Sequence, residues 1–378
     1  MKNPVFAYLP TIAGVSAGTL AAVVVSFAFL QPQLNSLHQE LADLRQSTST
    51  LVAIPSTPLT PPIEIIPIER RPLVPTYPSA FLDRRVSSVV TLVRRGKNDS
   101  LPISEEREIG GAVALTTDGW LATSRSTVEG LRLADLGVEW SGRMFPVRRA
   151  FRDTATDIVY LKIDATNLPT VAFSRASDVQ SGAAVWFESR PGQLRADLIV
   201  DASVMSTRDP LSSERAGRRF LIQGMPGNTA GGAVWDGGGK LVGIIEADGA
   251  SGLTVLPAEG LGSTLAQLVG SGEILRPLLG IRGVDLAEVT LDTASSSLPS
   301  LGMWVRGVTV GTPAYRNLVE NDVIERVERD ILDGNADLGE RLLDYRPGAT
   351  LTFYGRRAGE SFQARVTIGS HNTAEAIK

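Results

Sequence analysis

At 378 residues, 43% of them hydrophobic, the chain is too long for one ordinary domain and can fill two or three cores. The absence of cysteine excludes disulfides, thiolate metal sites and a cysteine nucleophile, and with only two histidines, His38 and His371, no imidazole lies between residues 39 and 370. A formal net charge of −4 argues against a nucleic-acid partner, and the scarcity of lysine, five among 37 basic residues, reads as codon usage rather than function.

The first element is a membrane segment. Residues 3–37 carry no charge, and residues 8–30 are apolar or small throughout, about the length a ~30 Å hydrocarbon core requires. A cleaved signal peptide is the alternative, but its apolar stretch usually runs about 7–15 residues. Residues 1–30 are therefore assigned as a transmembrane signal anchor, single-pass in a bacterial-type cytoplasmic membrane. Lys2 and the α-amino group precede the helix and no charge follows closely, which puts the bulk of the chain on the periplasmic, extracytoplasmic side. Gly14 and Gly18 offer a face on which two such helices can approach.

Leu30, Leu34, Leu37, Leu41 and Leu44 continue outward at alternating spacings of four and three, so residues 31–53 are expected to form a short coiled-coil or helical stalk. That seam either joins copies of the chain or lies on another surface. Residues 54–78 hold eight prolines in 25 positions; they can be neither helix nor central strand and read as an extended linker.

From residue 79 to 270 the pattern is short β-branched and apolar runs bounded by Gly, Asp, Asn or Ser, at 86–93, 111–115, 158–163, 183–187, 198–204, 232–234 and 241–246. These predict a mostly β barrel or sandwich region. The best helical candidate is 257–269.

A family resemblance rests on residues in a fixed order. Gly110-Gly111-Ala112-Val113, then Asp118-Gly119-Trp120-Leu121-Ala122-Thr123, then Thr156-Asp157-Ile158-Val159, then Gly231-Gly232-Ala233-Val234 and Leu241-Val242-Gly243-Ile244 resemble the signposts of the trypsin-like HtrA (Deg) serine proteases. The resemblance implies two six-stranded barrels with a His-Asp-Ser triad between them, and a homo-oligomer, a trimer by family habit. Here the triad is degenerate. Ser126 stands in the histidine slot, Asp157 keeps the aspartate slot, and Ala230, or Thr229 if the motif slides by one, replaces the nucleophilic serine. The stretch before Gly231-Gly232 is also about three residues short of the family pattern, which unsettles the oxyanion donors. A hydroxyl must lose a proton as it attacks, and Ser126 cannot accept it near neutral pH. Asp157, with no imidazole to orient, is expected to cap local backbone N–H groups.

Residues 271–370 resemble the PDZ domain of the same family, most legibly in Gly311-Thr312-Pro313-Ala314 and Asp322-Val323-Ile324. The resemblance implies an added-strand groove whose peptide-binding loop, Leu278, Leu279, Gly280 and Ile281, receives a terminal carboxylate on its N–H groups. The groove is expected to be open, blockage by the chain's own protease-like domain being the alternative. Residues 371–378 are set apart as a tail.

The whole reads as an anchored HtrA-like protein: transmembrane helix, stalk, linker, trypsin-like double β-barrel and PDZ domain. It is expected to bind polypeptides or protein C-termini in envelope protein quality control without cofactor, metal or nucleic acid. The alternatives are an active serine-type endopeptidase using Thr229 and a structural assembly subunit.

Overall fold

The computed structural model describes residues 87–96, 104–174, 179–206, 210–224, 229–249, 251–289, 298–334 and 336–378; the membrane segment, stalk and linker expected at 1–78 lie outside them. Among the described residues no helix is long and apolar enough to cross a membrane.

Strands β1 (Val89–Arg94), β2 (Glu108–Ala114) and β3 (Trp120–Ser124) are followed by a single helical turn, α1 (Arg125–Val128), and by β4 (Leu136–Trp140), β5 (Arg143–Asp153) and β6 (Ile158–Ile163). They pair antiparallel in the order β5-β4-β1-β2-β3-β6, and β6 returns to β5, closing a six-stranded barrel. The second set comprises β7 (Ala184–Glu188), β8 (Leu194–Met205), the two-residue β9 (Leu211–Ser212), β10 (Arg218–Ile222), β11 (Ala233–Trp235), β12 (Leu241–Gly249) and β13 (Gly252–Pro257). All of these except β9 form a second closed barrel, in the order β10-β13-β12-β11-β7-β8.

The apolar runs look continuous because both faces of these strands are covered. Along β6, Ile158 and Tyr160 join the cluster shared by the two barrels, while Val159, Leu161 and Ile163 fill the first barrel. Along β12, Leu241 and Ile244 join the shared cluster, while Val242 and Ile245 fill the second barrel. A side-chain period of two produces this division along β6, and along β12 a bulge at Val242, where the partners of Trp235 and Val234 skip from Leu241 to Gly243, shifts the alternation by one residue. β5 (RMFPVRRAFRD) does not stand out in the sequence, because Phe145, Val147 and Ala150 are buried while Arg148 and Arg149 remain exposed.

Helix α2 (Leu261–Ser271) begins later than the 257–269 pattern suggests. Pro257 instead ends β13, paired with Gly243, and Gly260 turns the chain at φ 79° before the helix starts. Leu261, Leu265 and Leu268 then form one buried stripe against the shared cluster.

The C-terminal module contains β14 (Leu275–Leu278), β15 (Ile281–Asp285), β16 (Met303–Val308), β17 (Val323–Val327), β18 (Asp330–Ile331), helix α3 (Leu338–Leu343), β19 (Thr350–Arg357), β20 (Glu360–Thr367), β21 (Gly369–Asn372) and β22 (Ala374–Ala376). Its main sheet runs β20-β19-β17-β16-β15-β9, so its edge strand comes from the loop between β8 and β10 of the second barrel. A separate core holds Leu279, Ile281, Val305, Ile324, Leu338, Phe353 and Val366.

Residues 371–378 are no loose tail. β21 completes a two-stranded sheet with β14, β22 pairs with β5 of the first barrel, and the Leu133 N–H donates to the Lys378 carbonyl at 3.0 Å. The reason lies in the turn between these strands, where buried Thr373 donates to Asp153 Oδ1 at 2.7 Å.

Candidate functional site

The cleft positions are assembled from both barrels. Helix α1, directly after β3, carries Ser126, and the segment before β11 carries Thr229 and Ala230. Gly231 adopts φ 77°, and a Cβ there would collide with the Gly111 carbonyl and Thr123 Oγ1. Glycine is therefore needed to let this segment lie against the first barrel. The Gly111 N–H donates to the Ala230 carbonyl at 2.9 Å, and the Gly232 N–H donates to the Thr229 carbonyl at 3.0 Å. Residues 225–228, where the shortened stretch falls, lie outside the described residues.

Ser126 Oγ donates to the main-chain carbonyl of Glu246 and lies 2.9 Å from Ser124 Oγ, which in turn lies 2.8 Å from Thr127 Oγ1. This is a chain of neutral hydroxyls ending on a carbonyl, with no member able to take a proton near neutral pH.

Asp157 follows the turn after β5 and sits at φ 62°, its side chain 6% exposed. It was expected to cap backbone N–H groups; its carboxylate instead faces four guanidinium groups. Arg152 Nη2 donates to Oδ1 at 2.8 Å, Arg215 Nη2 donates to Oδ2, Arg219 lies at 3.6 Å and Arg125 at 3.8 Å. Glu129 and Glu246 balance part of this charge, at 2.7 Å from Arg125 and 2.9 Å from Arg219. Backbone capping falls to Asp153, which accepts from the Ala155 N–H at 3.1 Å and from Arg276 Nη2 at 2.6 Å. Arginine abundance, read above as codon usage, thus has structural work in this cleft. The one histidine among the described residues, His371, sits on β21 opposite Arg276.

The second site is the loop from β14 to β15. Gly280 turns it at φ 90°, against Thr312. The Thr309 N–H donates to the Gly280 carbonyl at 2.8 Å and the Ala314 N–H to the Leu279 carbonyl at 2.9 Å. With its carbonyls held, the loop turns its N–H groups the other way. Those of Leu279 and Gly280 donate to Glu214 Oε1 at 3.0 and 2.8 Å, and that of Ile281 donates to Ser213 Oγ at 3.2 Å. β9 continues the contact, with Ser212 opposite Arg282 and Leu211 opposite Gly283. The groove expected to be open is therefore filled by the chain's own Leu211, Ser212, Ser213 and Glu214. Leu279 and Ile281 are packed in the module's core rather than lining an open pocket.

The structure leaves Ser126 and Asp157 without the mutual contact a triad needs, since Ser126 ends on Glu246 and Asp157 on arginines. Glu214, Arg152 and Arg215 carried no signal in the sequence: each acts through a partner that local pattern does not reveal.

Residues 110–244 match the family model of the trypsin-like peptidase domain. Over 275 residues the chain is 25% identical to the "Probable periplasmic serine endoprotease DegP-like" of Halomonas elongata, a match covering 70% of this chain and 57% of that protein. Over 333 residues it is 22% identical to the "Serine endoprotease DegS" of Salmonella typhimurium, covering 84% of this chain and 93% of that one. The chain thus spans little more than half of the DegP-like relative and nearly all of DegS. The fold is that of the HtrA-type protease AlgW, solved with a decapeptide (TM-score 0.56, 21% identity, 78% of this chain and 99% of that one) and with a tripeptide (TM-score 0.57, 21% identity, 79% and 98%).

Proposed function

We propose that this chain is a membrane-anchored, catalytically inactive homologue of the HtrA-type serine proteases that binds polypeptide C-termini through a PDZ domain at residues 271–370, in envelope protein quality control. The observation that carries this reading is the arginine ring around Asp157. A triad aspartate holds an imidazole in the tautomer that accepts the nucleophile's proton. Here guanidinium groups occupy both carboxylate oxygens, and the position of the base is a serine bonded to a carbonyl.

The binding half of the proposal is supported by the 278–281 loop. Two adjacent N–H groups already converge on one carboxylate oxygen, the recognition that a chain terminus requires. Membrane anchoring and self-association, as a trimer by family habit, rest on the apolar segment and leucine seam of the first 53 residues. Charging that seam with Leu37→Glu and Leu41→Glu should lower the oligomer order of the full chain in detergent, as read by light scattering.

The test of inactivity uses the full chain in detergent. Neither labelling by a fluorophosphonate nor cleavage of casein is expected. Turnover that disappears in Thr229→Ala would favour the active endopeptidase instead. The pair Ser126→His with Ala230→Ser is expected to stay silent too, because Arg152 and Arg215 still hold Asp157.

A further inference from the structure

We propose that Leu211, Ser212, Ser213 and Glu214 are a tethered occupant of the C-terminal module's peptide groove, and that an incoming polypeptide with a free, apolar C-terminus binds by displacing them. The proposal rests on the reading of this module as a binder of C-termini.

Three observations carry it. The first is direction: β9 runs antiparallel to β15, with Leu211 opposite Gly283 and Ser212 opposite Arg282, so the segment advances toward the 278–281 loop as it reaches Glu214. A peptide whose carboxylate ends in that loop must run the same way along the same edge. The second is chemistry: Glu214 places a side-chain carboxylate oxygen 3.0 and 2.8 Å from the nitrogens of Leu279 and Gly280, where a terminal carboxylate would sit. The third is completeness. The Ser213 N–H donates to the Ile281 carbonyl at 2.9 Å and Ser213 Oγ accepts from the Ile281 N–H, so the ladder leaves no room for a second strand.

The occupant differs from a free terminus in one respect that makes it displaceable. Its carboxylate sits on a side chain, and the main chain continues through Arg215 to the barrel. Arg215 Nη2 donates to Asp157, the Ala216 N–H donates to the Ala155 carbonyl at 3.0 Å, and the Gly217 N–H donates to Asp337 Oδ2 at 2.7 Å. The segment is thus anchored beyond the groove and can leave and re-enter it as a short tether, at an effective concentration on the order of millimolar. A tether of that kind scales the apparent affinity of any competitor down to the fraction of time the groove is open.

The test is a titration of the full chain in detergent with a pool of fluorescent decapeptides ending in Val, Leu, Ile or Phe, each with an amidated twin. Glu214→Gln removes the occupant's charge and should tighten binding of the free-carboxylate peptides by about tenfold. A second variant needs no change at the loop. Ser212 and Arg282 form the pair between hydrogen-bonded neighbours, where opposing Cα atoms lie about 4.5 Å apart, within disulfide reach. The chain has no other cysteine, so Ser212→Cys with Arg282→Cys should cross-link on oxidation, lose peptide binding, and recover it on reduction. Equal affinities for wild type and Glu214→Gln, or a cross-linked protein that still binds, would overturn the tethered occupant while leaving the C-terminus reading intact. Failure of all forms to bind, or equal binding of amidated peptides, would overturn that reading and the occupant with it.

Discussion

Arg218 of β10 and Asp285 of β15 form an ion pair, Nη2 to Oδ2 at 2.6 Å, with side chains only 4% and 6% exposed. It links the second barrel to the C-terminal module, and Arg218 also reaches Ser203 and, at 3.3 Å, Glu288. Removing one partner strands a buried charge, which typically costs about 3–5 kcal/mol. Arg218→Met should therefore destabilise the folded chain by about that amount in chemical denaturation. Arg218→Met combined with Asp285→Leu should recover much of the loss. A single variant as stable as the parent would show that water reaches Asp285.

Alkaline pH should loosen the same junction. Burial, reinforced by the neighbouring Asp337 carboxylate, pushes Glu340 up to about 8 from its ordinary value near 4.5, and burial raises Asp337 as well. The folded state then holds a proton that the unfolded chain releases. Stability from this source is complete below about pH 4.5 and is lost as pH rises through about 8. The melting temperature should fall between pH 6 and 9, and Glu340→Gln should flatten that slope. Gln still offers an oxygen to the Asp337 N–H, which donates to Glu340 Oε2 at 3.0 Å. An unchanged slope in the variant would mean that Glu340 titrates as an ordinary carboxylate.

Gly280 and Gly311 separate backbone strain from collision. Both hold positive φ, 90° and 82°, but a Cβ at Gly311 meets nothing within 4 Å while one at Gly280 runs into Thr312. Gly311→Ala should cost about 1 kcal/mol and Gly280→Ala about 3 kcal/mol or more, measured by thermal unfolding. Equal costs would show that Thr312 moves aside.

The barrels were legible in the sequence because their strands declare themselves locally. Apart from Lys162 the run at 158–163 is apolar on both faces, and β6 spans the same six residues, Ile158 and Tyr160 in one core and Val159, Leu161 and Ile163 in the other. The helix at 257–269 was legible in kind but not in start, because a stripe of Leu261, Leu265 and Leu268 marks the buried face and not where Pro257 leaves its strand. The missing imidazole was equally plain, since composition alone excludes it.

What the sequence could not specify is which distant groups would meet. Asp157 looks the same in the chain whether it faces a histidine or arginines; the ring of Arg125, Arg152, Arg215 and Arg219 forms only when the barrels bring β5, α1, β10 and the loop before it together. Glu214 is one acid in a polar loop until that loop reaches the Leu279 and Gly280 N–H groups, 65 and 66 residues further on. Local propensity and periodicity are short-range properties of the backbone. The partner of a buried or half-buried charge is chosen by tertiary contact, because desolvation makes an unpaired one too costly to leave alone.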